Sequence, residues 1–306
     1  MYTAALSRPA PTPTDAAVSA GRCAAVAAEV DEARRRGALQ TIVIPPCPAL
    51  LARLQRALAA TEPDLPEVAR VAAADVAMSA SLIRSANSPL YAAGQPVQTI
   101  GQAMDRLGLQ HTAAVLTGYV AQRALPVRNP QLQRFWERST KRALAMGFMA
   151  RRLPGMSPDV AHTFGLFCHV GLPVMLQSLR GYAGTLVEAR ARIDRSFIAT
   201  ENANHRTDHA VVGALVARVW RLAPAVVAAI RLHHDLDVLG DAAVEPEVQT
   251  LIATGLVAEQ LMHRHEGLDP AREWTEHAPR ALDWLQLDAD ELLAWEDELR
   301  PVLDGA

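Results

Sequence analysis

Apolar residues recur at three- and four-residue intervals along nearly the whole chain, and no stretch alternates for long enough to build a sheet. Asp15 is positioned to cap a first helix running to about Arg36, with Val18, Cys23, Val26 and Val30 as a weak apolar stripe. The preceding residues 1–14, MYTAALSRPAPTPT, read as a poorly ordered tail. Ile42-Val43-Ile44-Pro45-Pro46 reads as extended, because a residue before proline avoids the α region. Pro48 then opens a helix with Leu50, Leu51, Leu54 and Leu58 on one face. Thr61–Asp64 breaks that pattern, and Leu65–Ala73 forms the next helix. Asp75 caps a helix carrying Met78, Leu82 and Ile83, which Asn87-Ser88-Pro89 ends. Thr99 starts a helix containing Ala103, Met104 and Leu107, stopped at Gly108, and His111–Ala124 closes this first group. Past Pro126 and Asn129-Pro130 the spacing predicts helices at about 131–152, 157–168, 172–190, 208–220, 224–234, 246–265 and 288–303. The fold class expected is all-α, in two packed helical subdomains. Residues 1–40 supply a tail and lead helix, 41–125 the first subdomain, and 126–306 the second with its C-terminal helices.

Residues 205–235, HRTDHAVVGALVARVWRLAPAVVAAIRLHHD, carry the most chemistry. His205 and His209 stand at the start of one helix, and His233, His234 and Asp235 at the end of the next. The apolar faces between them, Val212/Leu215/Val216/Val219 and Val226/Ile230, are joined at Leu222-Ala223-Pro224, and proline suits a first helical turn. Imidazoles gathered at one end of a helix pair suit metal ions such as Zn and Fe. The plainer reading is that they are capping and surface histidines.

Residues 208–235 resemble the late segment of the HDOD domain, the HD-related output domain of bacterial signalling proteins. IPPCPALLARL (44–54) is similar to that family's opening helix, and ASLIRSANSPLYAAGQPVQTIGQAMDRLGL (80–109) to its most recognisable block. FWERS (135–139) is similar to the start of its HD-like half, and the resemblance spans roughly residues 40 to 300. It implies that the second subdomain is a degenerate HD-like bundle, with an output or adaptor role played through protein–protein contacts. The catalytic relatives of this family are metal-dependent phosphohydrolases using a His, an adjacent His-Asp pair and a later Asp. In them a metal-bound water is deprotonated near neutral pH and attacks phosphorus.

Matching FGLFCHVGLPVML (164–176) to that pattern puts Cys168 at the histidine and His169 at the aspartate, with Val170-Gly171 in register. FWERS puts Arg138 where a histidine is usual, and LVAEQL (256–261) puts Glu259 at the late aspartate. Arg138 brings a permanent cation to a cation site. His169 cannot bridge two metals as a carboxylate does, and Cys168 is a soft ligand. The resemblance therefore implies a vestigial site in which His209, His233 and His234 remain, with no catalytic residue, metal or cofactor. Arg138 is expected to fill the former metal space, offset by Glu259 or Asp208. Two alternatives stay open. Cys168, His169, His209, His233 and His234 include enough N and S ligands for tetrahedral Zn, although adjacent helical side chains diverge by roughly 100°. Arg138 and the histidines can instead hold a small anionic ligand by charge-assisted hydrogen bonds. A metal-dependent phosphohydrolase acting on a nucleotide or other phosphoester is the enzymatic alternative.

Half of the 306 residues are hydrophobic, enough for a sizeable core. A net charge of −3 gives no general attraction to nucleic acid or anionic membrane; the partners that the HDOD resemblance implies are signalling proteins. Arg34-Arg35-Arg36 reads as a solvated helix end. Three scattered cysteines point to a reducing compartment, and no secretory signal or membrane span is read, so a cytoplasmic location is expected. Neither G-x-G-x-x-G nor the P-loop pattern occurs. His111 and His162 read as structural histidines, His263 and His265 as a positive helix end, and Trp274, Trp284 and Trp295 as core or interface anchors. Ser85-Ala86-Asn87-Ser88-Pro89 reads as fold-defining turn chemistry before it reads as a partner surface.

Overall fold

The computed structural model describes residues 13–35 and 37–305, with side chains at 21–35 and 39–305, and among these the regular structure is entirely helical. The helices are α1 (Pro13–Arg35), α2 (Ala49–Leu58), α3 (Leu65–Ala72), α4 (Val76–Ala86), α5 (Ile100–Ala124), α6 (Phe135–Ala150), α7 (Pro158–Phe167) and α8 (Gly171–Ser178). They continue with α9 (Tyr182–Ala191), α10 (Phe197–His205), α11 (His209–Val219), α12 (Pro224–Leu232), α13 (Pro246–His265), α14 (Arg272–Leu285) and α15 (Ala289–Asp304). The all-α expectation holds. Residues 1–12 of the expected tail and the side chains of Asp15, Val18 and Arg36 lie outside the described residues, while Pro13 and Thr14, expected in the tail, begin α1.

Local chemistry sets most helix starts. Asp75 accepts from the Ala77 and Met78 amides, at 2.8 and 3.1 Å, to cap α4. Thr99 and Gln102 exchange side-chain and backbone bonds in a capping box at α5. Asn87 ends α4 and clamps the following loop, its amide bonding both the N–H and the C=O of Val97 at 2.9 Å. The turn chemistry expected of the Ser-Ala-Asn-Ser block is that clamp. Gly108, with φ 75°, breaks α5 where a stop is expected. The single helix expected at 172–190 is instead two, parted at Gly181 with φ 81°. Helices α10 and α14 were not foreseen.

Helix α1 packs on α11 and α12 rather than on the first subdomain. Val26 and Val30 are fully buried, Arg218 donates to Asp31 at 2.7 Å, and Arg231 to Glu29 at 2.8 Å. The two halves share one apolar core. Trp220, fully buried after α11, donates its indole N–H to the Pro45 carbonyl at 3.0 Å. The Arg151 guanidinium lies 4.3 Å from the centre of the Tyr91 ring. Pro158–Ser178 is long and apolar enough to cross a membrane, against the expectation of no such stretch, yet it is α7 and α8, mostly buried in the fold.

Candidate functional site

Cys168, His169 and Val170 form the turn between α7 and α8, and their neighbour Gly171 decides how closely α8 meets α11. A Cβ at Gly171 would stand 2.0 Å from the His209 carbonyl oxygen and 2.8 Å from the Gly213 amide nitrogen. Only a glycine lets these backbones touch, and the contact brings His169 against the first turn of α11. His209 is the first residue of α11, with Asp208 as its N-cap, accepting from the Val211 amide at 2.9 Å. Pro224 opens α12, whose C-terminal end delivers His233 and His234 to the same place.

Four imidazoles converge there. His169 Nδ1 lies 3.2 Å from His209 Nε2 and 3.3 Å from His233 Nε2, while His234 Nε2 lies 3.0 Å from His209 Nε2. One nitrogen from each ring fits within 4.8 Å of every other. The far nitrogens all face acceptors. His209 Nδ1 donates to Glu201 at 2.7 Å, His233 Nδ1 to the Ile230 carbonyl at 2.7 Å, and His234 Nδ1 to Glu273. His169 Nε2 faces Glu259 at 3.6 Å. Burial pushes His169 down to about 3, with the Arg142 guanidinium adding to it. His233 is also held well below the ordinary range by burial and by its imidazole neighbours. At His234 burial acts in the same sense, but the Glu273 carboxylate outweighs it and raises that imidazole above its ordinary value.

Cys168 is not part of this cluster. It is buried in the core, where loss of solvent pushes its thiol up to about 12. The divergence expected of adjacent helical side chains sends His169 to the cleft and removes Cys168 from the proposed Zn set. His205, also grouped with these residues in the sequence, bonds the Thr185 hydroxyl at 2.9 Å instead. Glu259 does offset Arg138, at 3.3 Å, but its main partner is Arg142, whose guanidinium is 5% exposed. Arg138 itself pairs chiefly with Glu266. Of the two acids named for that offset, Glu259 supplies it and Asp208 does not; the second oxygen of Asp208 accepts from Asn202 at 2.8 Å. Burial disfavours charge on Glu259, yet Arg142, His169 and Arg138 together hold its carboxyl well below the usual range.

The sequence reading missed Glu201, Glu273, Arg142 and Glu266. Arg142 sits four residues after Arg138 on one helical face, and that spacing was a usable signal. Glu201 is fully buried on α10, accepting from the Tyr182 hydroxyl and from the backbone and ring N–H groups of His209.

The imidazoles form part of the wall of a cavity of about 530 Å³, a typical size for a small-molecule site. Phe135, Phe164, Leu172 and Phe197 supply apolar lining, and Arg138, Arg190 and Arg195 face the same space. Among the described residues, Arg190 bonds the backbone and side-chain oxygens of Gln131, at 3.2–3.5 Å, and no carboxylate. Burial and the nearby positive Arg138 lower its pKa. Arg195 leaves its buried Nε without a partner and reaches Glu188 only at 3.9 Å. The pocket thus holds unspent guanidinium donors near a nitrogen-rich floor. A pair of hard divalent ions needs bridging carboxylate oxygen. The converging groups here are all imidazoles; Glu201 and Glu273 are occupied behind the rings of His209 and His234, and Glu259 is engaged by arginines. The metal pair of the HD phosphohydrolases does not fit this donor set.

The HDOD domain model matches residues 44–236. An uncharacterized protein of Treponema pallidum (strain Nichols) is 25% identical over 244 residues, 78% of this chain and 45% of that protein, so the chain spans less than half of its length. Among solved structures, a "Putative phosphohydrolase" from Shewanella amazonensis SB2B is 22% identical with TM-score 0.65, covering 92% of this chain and 98% of that one. An HDOD domain protein with unknown function from Geobacter sulfurreducens is 19% identical with TM-score 0.61, covering 92% and 97%. These two likenesses concern the fold. With more than half of its length matched by the family model, the chain belongs to the HDOD family.

Proposed function

We propose that this chain is a non-catalytic module of bacterial signal transduction, which takes a small anionic ligand into its HD-like cleft and acts through contacts with other signalling proteins. The observation that carries the reading is the state of Glu259. The acid at the late metal position is bound by Arg142 and Arg138 and has no oxygen free for a hard divalent ion. His169 at the bridging position supplies nitrogen instead. The Shewanella relative is named as a phosphohydrolase, but a matching reaction here lacks the carboxylate pair that would hold the metal ions and their bound water. Binding, by contrast, has what it needs: apolar walls, a cavity of about 530 Å³, the Arg190 guanidinium held only by Gln131 oxygens, and a buried Arg195 Nε without a hydrogen-bond partner. Three unpaired cysteines agree with a reducing, cytoplasmic setting.

Isothermal calorimetry with inorganic phosphate tests the reading. Wild-type protein is expected to give saturable heat, and Arg190→Ala combined with Arg195→Ala to weaken binding at least about tenfold, the loss of charge-assisted hydrogen bonds. Equal heats for the two proteins, or none for wild type, refute the anion site.

A further inference from the structure

The four imidazoles are arranged so that each presents one ring nitrogen inward, and we infer that His169, His209, His233 and His234 together form a site for a single transition-metal ion of the Zn or Co(II) kind. A neutral imidazole carries one N–H and one lone pair, and the hydrogen bond on one nitrogen fixes the role of the other. The Ile230 carbonyl can only accept, so His233 Nδ1 bears the proton and Nε2 is left as a donor of electrons. Glu201 accepts from the Tyr182 hydroxyl and the His209 amide, and its contact with His209 Nδ1 places that ring's N–H on the outer nitrogen. Glu273 does the same for His234, and Glu259 faces His169 Nε2. With every ring neutral and its proton on that outer nitrogen, four lone pairs meet across gaps of 3.0–3.3 Å.

Such a cluster is repulsive without a cation at its centre. A single added proton can bridge one of the three close contacts and leaves the others facing each other. A metal ion satisfies all four. Zn–N bonds of about 2.0–2.1 Å place the corners of a tetrahedron about 3.3–3.4 Å apart, close to the three contacts observed. The carboxylates and carbonyl behind the rings are the outer groups that fix ring orientation and raise ligand basicity. An all-nitrogen set selects borderline ions over Mg or Mn. Four protein ligands also complete a tetrahedral shell, leaving no position for a hydrolytic water, as in structural rather than catalytic Zn sites. The ion would tie the α7–α8 turn to α11 and α12, and through Glu201 and Glu273 to α10 and α14. This inference stands apart from the anion site, which its test leaves out.

The test loads metal-stripped protein with Zn, Co(II), Mg or Mn in phosphate-free buffer and measures retained metal after dialysis. One equivalent of Zn or Co per chain is expected, with Mg and Mn lost. Co(II) protein should show the intense visible absorption of tetrahedral nitrogen coordination. Glu201→Gln should weaken Zn binding about 10–100-fold, the usual effect of removing an outer partner. His234→Ala, at a ring 17% exposed, should abolish stoichiometric binding while the chain still folds. His209→Ala should do likewise, and if it fails to fold then His234→Ala decides. Less than about a tenth of an equivalent of Zn in wild type overturns the site, as does full Zn retention by folded His234→Ala.

Discussion

Gly171→Ala tests the claim that backbone contact between α8 and α11 builds the imidazole cluster. The added methyl would lie 2.0 Å from the His209 carbonyl oxygen and 2.8 Å from both the His209 carbonyl carbon and the Gly213 amide nitrogen. Real Cβ atoms essentially never come within 3.0 Å of another heavy atom, so the helices must part by about 1 Å. All three obstacles are backbone, and no rotamer change relieves them. Overpacking a core commonly costs about 1–3 kcal/mol, and a backbone-on-backbone clash belongs at or above the top of that range. Two other glycines calibrate the result. At Gly118 the new methyl meets only the tip of the Leu166 side chain, at 2.9 Å, so Gly118→Ala should cost less. At Gly184, inside α9, nothing lies within 4 Å, and alanine should stabilise the helix by about 0.5–1 kcal/mol. Urea denaturation of the three variants measures the order, and Co(II) absorption reports whether His169 and His209 still meet. If Gly171→Ala unfolds at the wild-type midpoint, the helices do not touch as described.

Arg142→Ala removes the main partner of Glu259, a carboxylate 23% exposed, and is expected to cost about 3 kcal/mol, the low end for a buried pair, whereas Arg138→Ala, whose side chain is 25% exposed, should cost less than about 2 kcal/mol; paired denaturation curves with the opposite order would reverse the assignment of the Glu259 partner. His162 is held down to about 3 by burial and then by the neighbouring His111, so the folded chain refuses a proton that the unfolded chain takes up near pH 6.5. Its contribution to stability is therefore present above pH 6.5 and falls away toward pH 3, by about 2 kcal/mol at pH 5. His162→Leu should flatten the pH 5–8 stability profile by that amount, and identical profiles would remove His162 as the cause.

Much of this architecture was legible because it depends on chain-local chemistry. Asp75, Thr99, Asn87 and Pro224 act within a few residues of themselves, and their roles follow from their types. The paired helices around Leu222-Ala223-Pro224 gave away His209, His233 and His234 for the same reason. What escaped was the backing of the site. Helix α10 buries Thr200 and Glu201 rather than apolar residues, so no hydrophobic period marks it, and Glu201 stayed hidden with it. Helix α14 does have a period, in Trp274, Ala281, Leu282 and Leu285, but Pro279 inside it reads as a breaker. Its Glu273 was lost with it. The meeting of His169 with His209 depends on the contact at Gly171, between segments about forty residues apart. Local patterns carry no record of it.

The central claim is that this cleft binds an anion and does not cleave it. Phosphorus-31 NMR of a phosphomonoester held with zinc-loaded protein reads both properties in one spectrum. The account predicts a broadened or shifted ester resonance, sharpened again by Arg190→Ala with Arg195→Ala, and no inorganic phosphate signal growing over hours. A protein-dependent inorganic phosphate peak that disappears in His234→Ala would contradict it and make the chain a hydrolase.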